Sequence, residues 1–399
     1  MISYQTSQNM LSLLPIGALR SERLFISSAL GRILAEDIVA EEDYPTHPMS
    51  AMDGYAVLHA DFAEYKALSI LGDNPAGADE VEVVESGICI KTFTGSLMPL
   101  GSDTLIPIEN VSVQEGQILI EKSVPYGFAV RPIAESYRKG EILISRGSTI
   151  GFAEIGVLAG INRVMVSVSQ RPRVSVIATG SEILDLGEVA RNAGQIRSSN
   201  SYTLEALVSK LGGEPIQMGI VGDDKTAIME RFEEALRSSD IVVSTGGVSV
   251  GDYDFVKHIV PALGAEVIFK GVNIKPGQHV MVAQRGSKFI VSLPGFAYSS
   301  TVTFILYVVP LMARMMGRTN PYEPIEATLK VPFAKRSNKS EFTACNLSFE
   351  DGRYWVDFEG KKTGSSAILT NLLGNATLMI CGEDDGDMVE GTLVRVIKL

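Results

Sequence analysis

The chain has 399 residues, 45% of them hydrophobic and 21% charged, which suffices for two to four domains with ordinary cores and excludes a disordered chain. Its formal net charge of −12 excludes a nucleic-acid or anionic-membrane surface, because non-specific attraction to phosphate would be reversed in sign. Any anionic ligand must therefore be held by local lysines, backbone amides or a metal.

Residues 4–14 and 24–35 carry apolar side chains at helical spacing, the second around a Gly31-Arg32 step, before Pro45 and Pro48 mark a change of architecture near residue 40. The N-terminus has no basic segment ahead of an apolar core, and residues 302–312 are too short and contain Pro310, so neither a signal peptide nor a membrane span is expected. Cys89, Cys345 and Cys381 are far apart, odd in number and without metal spacing, which reads as reduced, buried thiols in a cytoplasmic protein. His47, His59, His258 and His279 are scattered and give no zinc spacing.

From residue 50 the pattern is short and β-rich. Asp53-Gly54 is a tight-turn signal leading into Tyr55–Val57, and short apolar pieces at 81–84, 88–92, 104–106 and 117–120 alternate with Gly, Pro and Asn. They predict a small β domain inserted into something else, with Thr94 offering a hydroxyl to a ligand or to its own backbone. Residues 127–150 are a charged loop around Gly140, and residues 151–160 look helical.

The middle of the chain alternates strands and helices. Residues 174–178, 217–221, 241–244, 267–269 and 289–292 read as buried strands with helical patterns between them, which predicts a parallel α/β layer. Ligands collect beyond the carboxyl ends of such strands, so the loops Thr179-Gly-Ser-Glu182, Gly222-Asp-Asp224, 245–252 and Leu293-Pro-Gly295 matter most. In the third, glycines interrupt the chain after a β-branched run, Asp252 is the expected N-cap, and Phe255, Val256, Ile259 and Val260 recur at helical spacing. A glycine turn feeding a helix N-terminus binds anions, yet Asp252 and Asp254 are themselves anionic. A divalent cation such as Mg²⁺ between protein and phosphate reconciles the two. Glu182, Asp223, Asp252, Asp254 and Lys275 are expected to make one rim, with Lys275 supplying the positive charge. The glycine spacing fits neither a P-loop nor a dinucleotide fingerprint. Past residue 317 short strands return at 326–331, 354–358, 376–381 and 391–396, a size that suits a separate β-barrel-like domain.

Ser50-Ala-Met-Asp-Gly-Tyr-Ala56, Thr94-Gly95 with Gly101-Ser-Asp103, Thr179-Gly-Ser-Glu182, Gly246-Gly-Val-Ser-Val-Gly-Asp-Tyr-Asp254, Lys275-Pro-Gly277 and Leu293-Pro-Gly295 stand in one order over nearly the whole chain. In this the sequence resembles the molybdopterin molybdotransferase family, bacterial MoeA and the gephyrin E domain. The resemblance implies an elongated homodimer of α/β plus β class. Residues 1–20 with 169–318 would form a MogA-like doubly wound α/β domain, 21–39 with 140–168 a small linking domain, 40–139 the inserted β domain and 319–399 the C-terminal barrel-like domain.

The implied reaction takes adenylyl-molybdopterin and molybdate and releases AMP, with Mg²⁺ as cofactor and a molybdopterin adenylyltransferase as partner enzyme. Position by position, Glu182, Asp223 and Asp254 would be the metal carboxylates, Ser249 and Lys275 oxyanion contacts, and Asp53 and Thr94 catalytic groups of the inserted domain. Thr179, Gly180, Gly246, Gly247, Gly251, Asp252, Pro276, Gly277, Pro294, Gly295 and Ser365 would line the substrate site. Several positions depart from the family pattern: Ala134-Glu135-Ser136 for Gly-Glu-Asp, Ser198-Ser199-Asn200 for Asp-Ser-Asn, Gln278-His279 for Lys-Pro, Phe296-Ala297 for Asn-Pro, Lys339 for an arginine, and Ala344 for another. Losing a charge and a bidentate guanidinium implies weaker molybdate binding. Alternatives to the active enzyme are a tungstate-specific variant and a divergent paralogue that binds pterin nucleotide as a scaffold.

Overall fold

The β-branched run Ile241–Val243 opens strand Ile241–Thr245, which is buried along its whole length, and the rest of the α/β layer is built around it. The computed structural model describes residues 1–63, 66–78, 82–248, 254–362, 365–374 and 376–399. The chain divides into two units, Met1–Glu36 with Gly147–Ala159 and Arg163–Leu399, and Asp37–Arg146 with Gly160–Asn162.

In the larger unit a six-stranded sheet runs Glu214–Val221, Arg173–Thr179, Ile241–Thr245, Lys288–Leu293, Met281–Arg285, Glu266–Lys270. The first four strands are parallel, as expected, but Met281–Arg285 is antiparallel to both neighbours. The layer is therefore mixed, because Gly286-Ser287 closes a two-residue hairpin between Met281–Arg285 and Lys288–Leu293 instead of a helical crossover. Each strand feeds both faces. Val174, Val176, Val243 and Val291 pack with Leu204 and Val208 of helix Ser199–Lys210, and Ile177, Val242 and Ile290 pack with Phe232 of helix Lys225–Ser238 and Val256 of helix Val256–Ala262. Helices on both faces make this layer doubly wound.

Residues 297–316 form one apolar helix long enough to cross a membrane, but 89% of its most apolar window is buried in the protein, so it is a core helix. It runs through Pro310 rather than stopping there. The segment Phe304–Val308 is π-helical, and the wider turn accommodates a proline that lacks an N–H and crowds the preceding carbonyls. The helical spacing read over 24–35 does not become a helix. Ser21–Phe25 is instead a strand paired antiparallel with Met165–Ser169, followed by a 3₁₀ turn at Ile26–Ser28 and by Gly31 at φ +74°, where pairing overrides periodicity. The N-terminal helix Tyr4–Leu13 forms as expected, capped by the Ser3 hydroxyl accepting from the Thr6 N–H at 3.0 Å.

The C-terminal strands close on themselves. Ser340–Glu350 pairs with Arg353–Asp357, which pairs with Ile325–Leu329, then Leu393–Lys398, Ala376–Cys381 and back to Ser340–Glu350. This five-stranded barrel is filled by Leu329, Cys345, Val356, Met379, Cys381 and Val396.

In the smaller unit, a six-stranded sheet places Gly54–Val57 between Thr104–Pro107 and Ile88–Thr92. Tyr55, Val57, Leu68, Cys89, Ile106 and Ile118 fill one side. A Cβ at Gly54 would lie 2.3 Å from the Ile106 carbonyl oxygen, so the Asp53-Gly54 signal marks close strand approach as well as a turn.

Candidate active site

Four parallel strands end together, with Thr179 opposite Val221, Ala178 opposite Thr245, and Thr245 opposite Leu293. The expected loops all leave this carboxyl edge. The Thr179 hydroxyl donates to the Thr245 carbonyl at 3.1 Å. Gly246 has φ +89°, and a Cβ there would sit 2.8 Å from the Thr179 carbonyl oxygen, so only glycine lets the two loops touch. A Cβ added at Gly295 would come within van der Waals range of Gly246, and Asn200 donates to the Gly295 carbonyl at 2.7 Å. Asn200 sits in the first turn of helix Ser199–Lys210, and its tie to the Pro294-Gly295 loop could not be read from spacing.

The expectation of upturned amides holds only in part. The Gly180 N–H is spent on the Val221 carbonyl and the Gly246 N–H on the Leu293 carbonyl, both at 3.1 Å, because these glycines extend the sheet by one more bond. Ser249, Gly251 and Asp252 lie outside the described residues. The cap position of helix Val256–Ala262 falls on Phe255 with no side-chain bond, rather than on Asp252. Asp254 stands two residues ahead of that helix, half-buried.

The carboxylates are held locally. Asp223 accepts from the Ser181 N–H at 3.1 Å, and the Asp223 N–H donates to the Ser181 hydroxyl at 3.0 Å, which locks the 180 and 222 loops together. Glu182 folds back over Gly180, where an added Cβ would meet its Oε2 at 2.6 Å. Among the described residues no three of His, Cys, Asp or Glu lie close enough to hold a metal ion, so Glu182, Asp223 and Asp254 are not a preassembled cage. Their donor set is oxygen only. That chemistry suits Mg²⁺, which takes one or two carboxylates and shares the rest of its shell with water and substrate phosphate.

Lys275 begins a separate cluster. Its ammonium lies 3.4 Å from Glu341, whose side chain is 5% exposed, and Ile274–Lys275 pairs in parallel with Ser340–Glu341 of the barrel. The positive charge expected at the rim is therefore already shared with a buried carboxylate. Pro276 and Gly277 are buried behind it, and a Cβ at Gly277 would overlap Thr303 at 2.2 Å. Two departures from the family pattern meet here: the Lys339 ammonium donates to the Gln278 side-chain carbonyl, and the Gln278 amide lies 2.8 Å from His279 Nε2. Burial first, then the Lys339 charge, holds the His279 imidazole below its ordinary pKa, with Asp254 pulling the other way. Ser365 accepts from the Ala367 N–H at 3.2 Å, and the next carbonyl, Ser366, accepts the Ser299 N–H at 3.1 Å, so this loop rests on the start of the helix that follows Pro294-Gly295.

In the smaller unit Thr94 gives both its N–H and its hydroxyl to one oxygen of Asp53, at 2.8 and 2.7 Å. The backbone bond first, then the hydroxyl, hold the Asp53 carboxyl below its usual value. The three cysteines are free and buried, and burial pushes Cys89 and Cys345 up to about 12 and Cys381 to about 11, so none is a nucleophile at neutral pH.

Residues 2–161 match the MoeA N-terminal region (domain I and II), and residues 175–314 match a probable molybdopterin binding domain. The doubly wound layer, the inserted sheet and the closed barrel are those of the multi-domain MoeA-like class, with the α/β layer as its MogA-like part. A molybdopterin biosynthesis moeA protein from Pyrococcus horikoshii superposes with a TM-score of 0.85 at 29% identity over 100% of both chains. Molybdopterin molybdenumtransferases from a Nostoc species and from Haemophilus influenzae are 34% and 30% identical, covering 93% and 90% of this chain and 87% of each relative. The chain belongs to the molybdopterin molybdenumtransferase family.

Proposed function

We propose that the chain is an active transferase of molybdenum cofactor biosynthesis, inserting molybdenum from molybdate into adenylyl-molybdopterin with release of AMP. The observation that supports it most is the carboxyl edge itself, where Thr179-Gly180, Ser181-Glu182, Asp223, Gly246-Gly247 and Pro294-Gly295 meet on four parallel strand ends. Asp223, Glu182 and Asp254 would hold Mg²⁺, which when bound supplies charge neutralisation for the diphosphate.

The chain's own contributions are distinct. Thr179 and the glycines bring the loops close enough to admit the diphosphate, Ser181 fixes the Asp223 carboxylate, and Ser365 and Lys275 border the oxyanion. Asp53, kept ionised by Thr94, is the acceptor offered by the inserted domain. The reading includes the four-domain division given above, a homodimer, a cytoplasmic location and a molybdopterin adenylyltransferase that hands over the nucleotide.

In vitro assembly from adenylyl-molybdopterin and molybdate, with AMP followed as Mg²⁺ is varied, tests it. Asp254→Asn is expected to fold and to lose Mg²⁺-dependent AMP release; unchanged turnover in that variant refutes the assignment. Tungstate run in parallel separates the two oxyanions, and nucleotide binding without product would point to a scaffold.

A further inference from the structure

Lys225 opens helix Lys225–Ser238 at the carboxyl edge, directly after Asp223 and Asp224. Its side chain is exposed, and its ammonium lies over the Phe255 ring, 5.0 Å from the centroid. Phe255 follows Asp254, so this contact runs from the loop after strand Glu214–Val221 to the end of the loop after strand Ile241–Thr245. Both strands pair with Arg173–Thr179, which ends between them at Thr179. Lys225 thus stands at the strand ends, two residues from Asp223 and in contact with the neighbour of Asp254.

Local structure gives poor grounds for a lysine here, because a cation in the first turn opposes the helix dipole. The carboxylates beside it are engaged elsewhere. Asp224 caps the helix by accepting the Ala227 N–H at 2.8 Å, and Asp223 accepts the Ser181 N–H at 3.1 Å. Lys225 itself forms no ion pair among the described residues. Two other cations of the edge loops are committed, Lys275 to Glu341 at 3.4 Å and Arg197 to the Asp185 carbonyl at 2.9 Å. As a surface contact alone, an ammonium over an aromatic ring would add a little to stability and nothing to ligand binding. The ring takes one side of the ammonium and leaves its remaining N–H donors for an oxyanion.

We infer that Lys225 is a further substrate-binding residue, its ammonium contacting the diphosphate of a nucleotide substrate at the carboxyl edge. This rests on the transferase reading and deepens it, since Lys225 supplies at the rim the positive charge that Lys275 shares with Glu341. A lysine serves there as a compact point charge on a flexible stem, able to follow a phosphate oxygen without the fixed geometry of a guanidinium fork. Its position beside Asp223 and next to the neighbour of Asp254 lets it offset the repulsion between those carboxylates and an arriving anion.

Calorimetric titration of the full chain with ADP, as a nucleoside diphosphate probe in magnesium chloride, tests this. Lys225→Met is expected to bind about tenfold more weakly, through loss of a charge-assisted contact, and Lys225→Arg to keep most of the affinity. The difference between parent and Lys225→Met should narrow as sodium chloride is raised. Lys210→Met makes the same change at the other end of the sheet, where helix Ser199–Lys210 stops ahead of strand Glu214–Val221, and should bind as the parent does. An AMP arm locates the contact: a loss shared by AMP assigns the ammonium to the adenylyl phosphate, and a loss confined to ADP assigns it to the distal one. Equal ADP affinity in Lys225→Met and the parent, or an equal loss in Lys210→Met, would overturn the inference and leave the transferase reading standing. A parent chain that binds no ADP would overturn both.

Discussion

The Lys275 ammonium sits 3.4 Å from Glu341, an exposed cation on a carboxylate that is 5% exposed and also accepts from the Ser337 hydroxyl at 2.7 Å and the Arg336 N–H at 3.1 Å. Lys275→Ala leaves the buried charge with hydrogen bonds but no cation. We expect a loss of about 1–2 kcal/mol, discounted for the exposed partner. Glu341→Gln keeps the acceptor oxygen and frees the lysine, so it should cost less and raise molybdate affinity. Urea unfolding and molybdate titration check both; a loss in Glu341→Gln as large as in Lys275→Ala would contradict this.

Asp53 and Thr94 give a pH dependence with a definite sign. Both hydrogen bonds favour the ionised carboxyl, so its folded pKa lies below the ordinary 3.8. Its contribution to stability is complete above that ordinary value and is lost as pH falls through the lower folded one. Thr94→Val removes the hydroxyl bond and keeps the N–H, and should move the titration part of the way back up. Carboxyl ¹³C NMR of Asp53 reads this directly, and an unmoved midpoint contradicts it.

Ala134 has φ +60°, in the left-handed region that favours glycine. It occupies the first position of the Ala134-Glu135-Ser136 departure, where the family pattern has glycine. Ala134→Gly should stabilise the chain by about 0.5–1 kcal/mol, relief of left-handed strain outweighing the entropy that glycine adds to the unfolded state. A rise in the urea midpoint at constant slope is the expected result.

Gln278 and Lys339 are hydrogen-bonded to each other. Restoring the family's lysine with Gln278→Lys alone would put two ammonium groups where one now donates to a carbonyl. The expected result is a loss of about 1 kcal/mol of stability, since like charges at contact repel. Combined with Lys339→Gln, the same substitution should recover stability, which a double-mutant cycle measures.

Much of the layer was legible because buried parallel strands need β-branched runs: Val174, Val176, Ile241–Val243 and Phe289–Val291 announce themselves. The strand Met281–Arg285 was missed although Gly286-Ser287 is a recognisable hairpin turn. The long strand Ser340–Glu350 was missed because Glu341 and Asn346 interrupt its apolar residues. Leu30, Ile33 and Leu34 satisfy helical spacing, yet residues 24–35 form no α-helix because the backbones of Leu24, Ile33 and Leu34 pair with strands elsewhere. In the site, loop positions followed from strand ends, but Ser181 with Asp223, Asn200 with Gly295 and Lys275 with Glu341 are pairings across 42, 95 and 66 residues, which no local pattern encodes.

The bridge from Ile274–Lys275 to Ser340–Glu341 ties two architectures through main-chain hydrogen bonds rather than side chains alone. Amides in the 272–280 loop should therefore exchange with solvent in step with the first residues of the barrel's longest strand. Changes that loosen the barrel interior, at Cys345 or Met379 for instance, would slacken the Lys275 loop from a distance without touching any residue of the carboxyl edge.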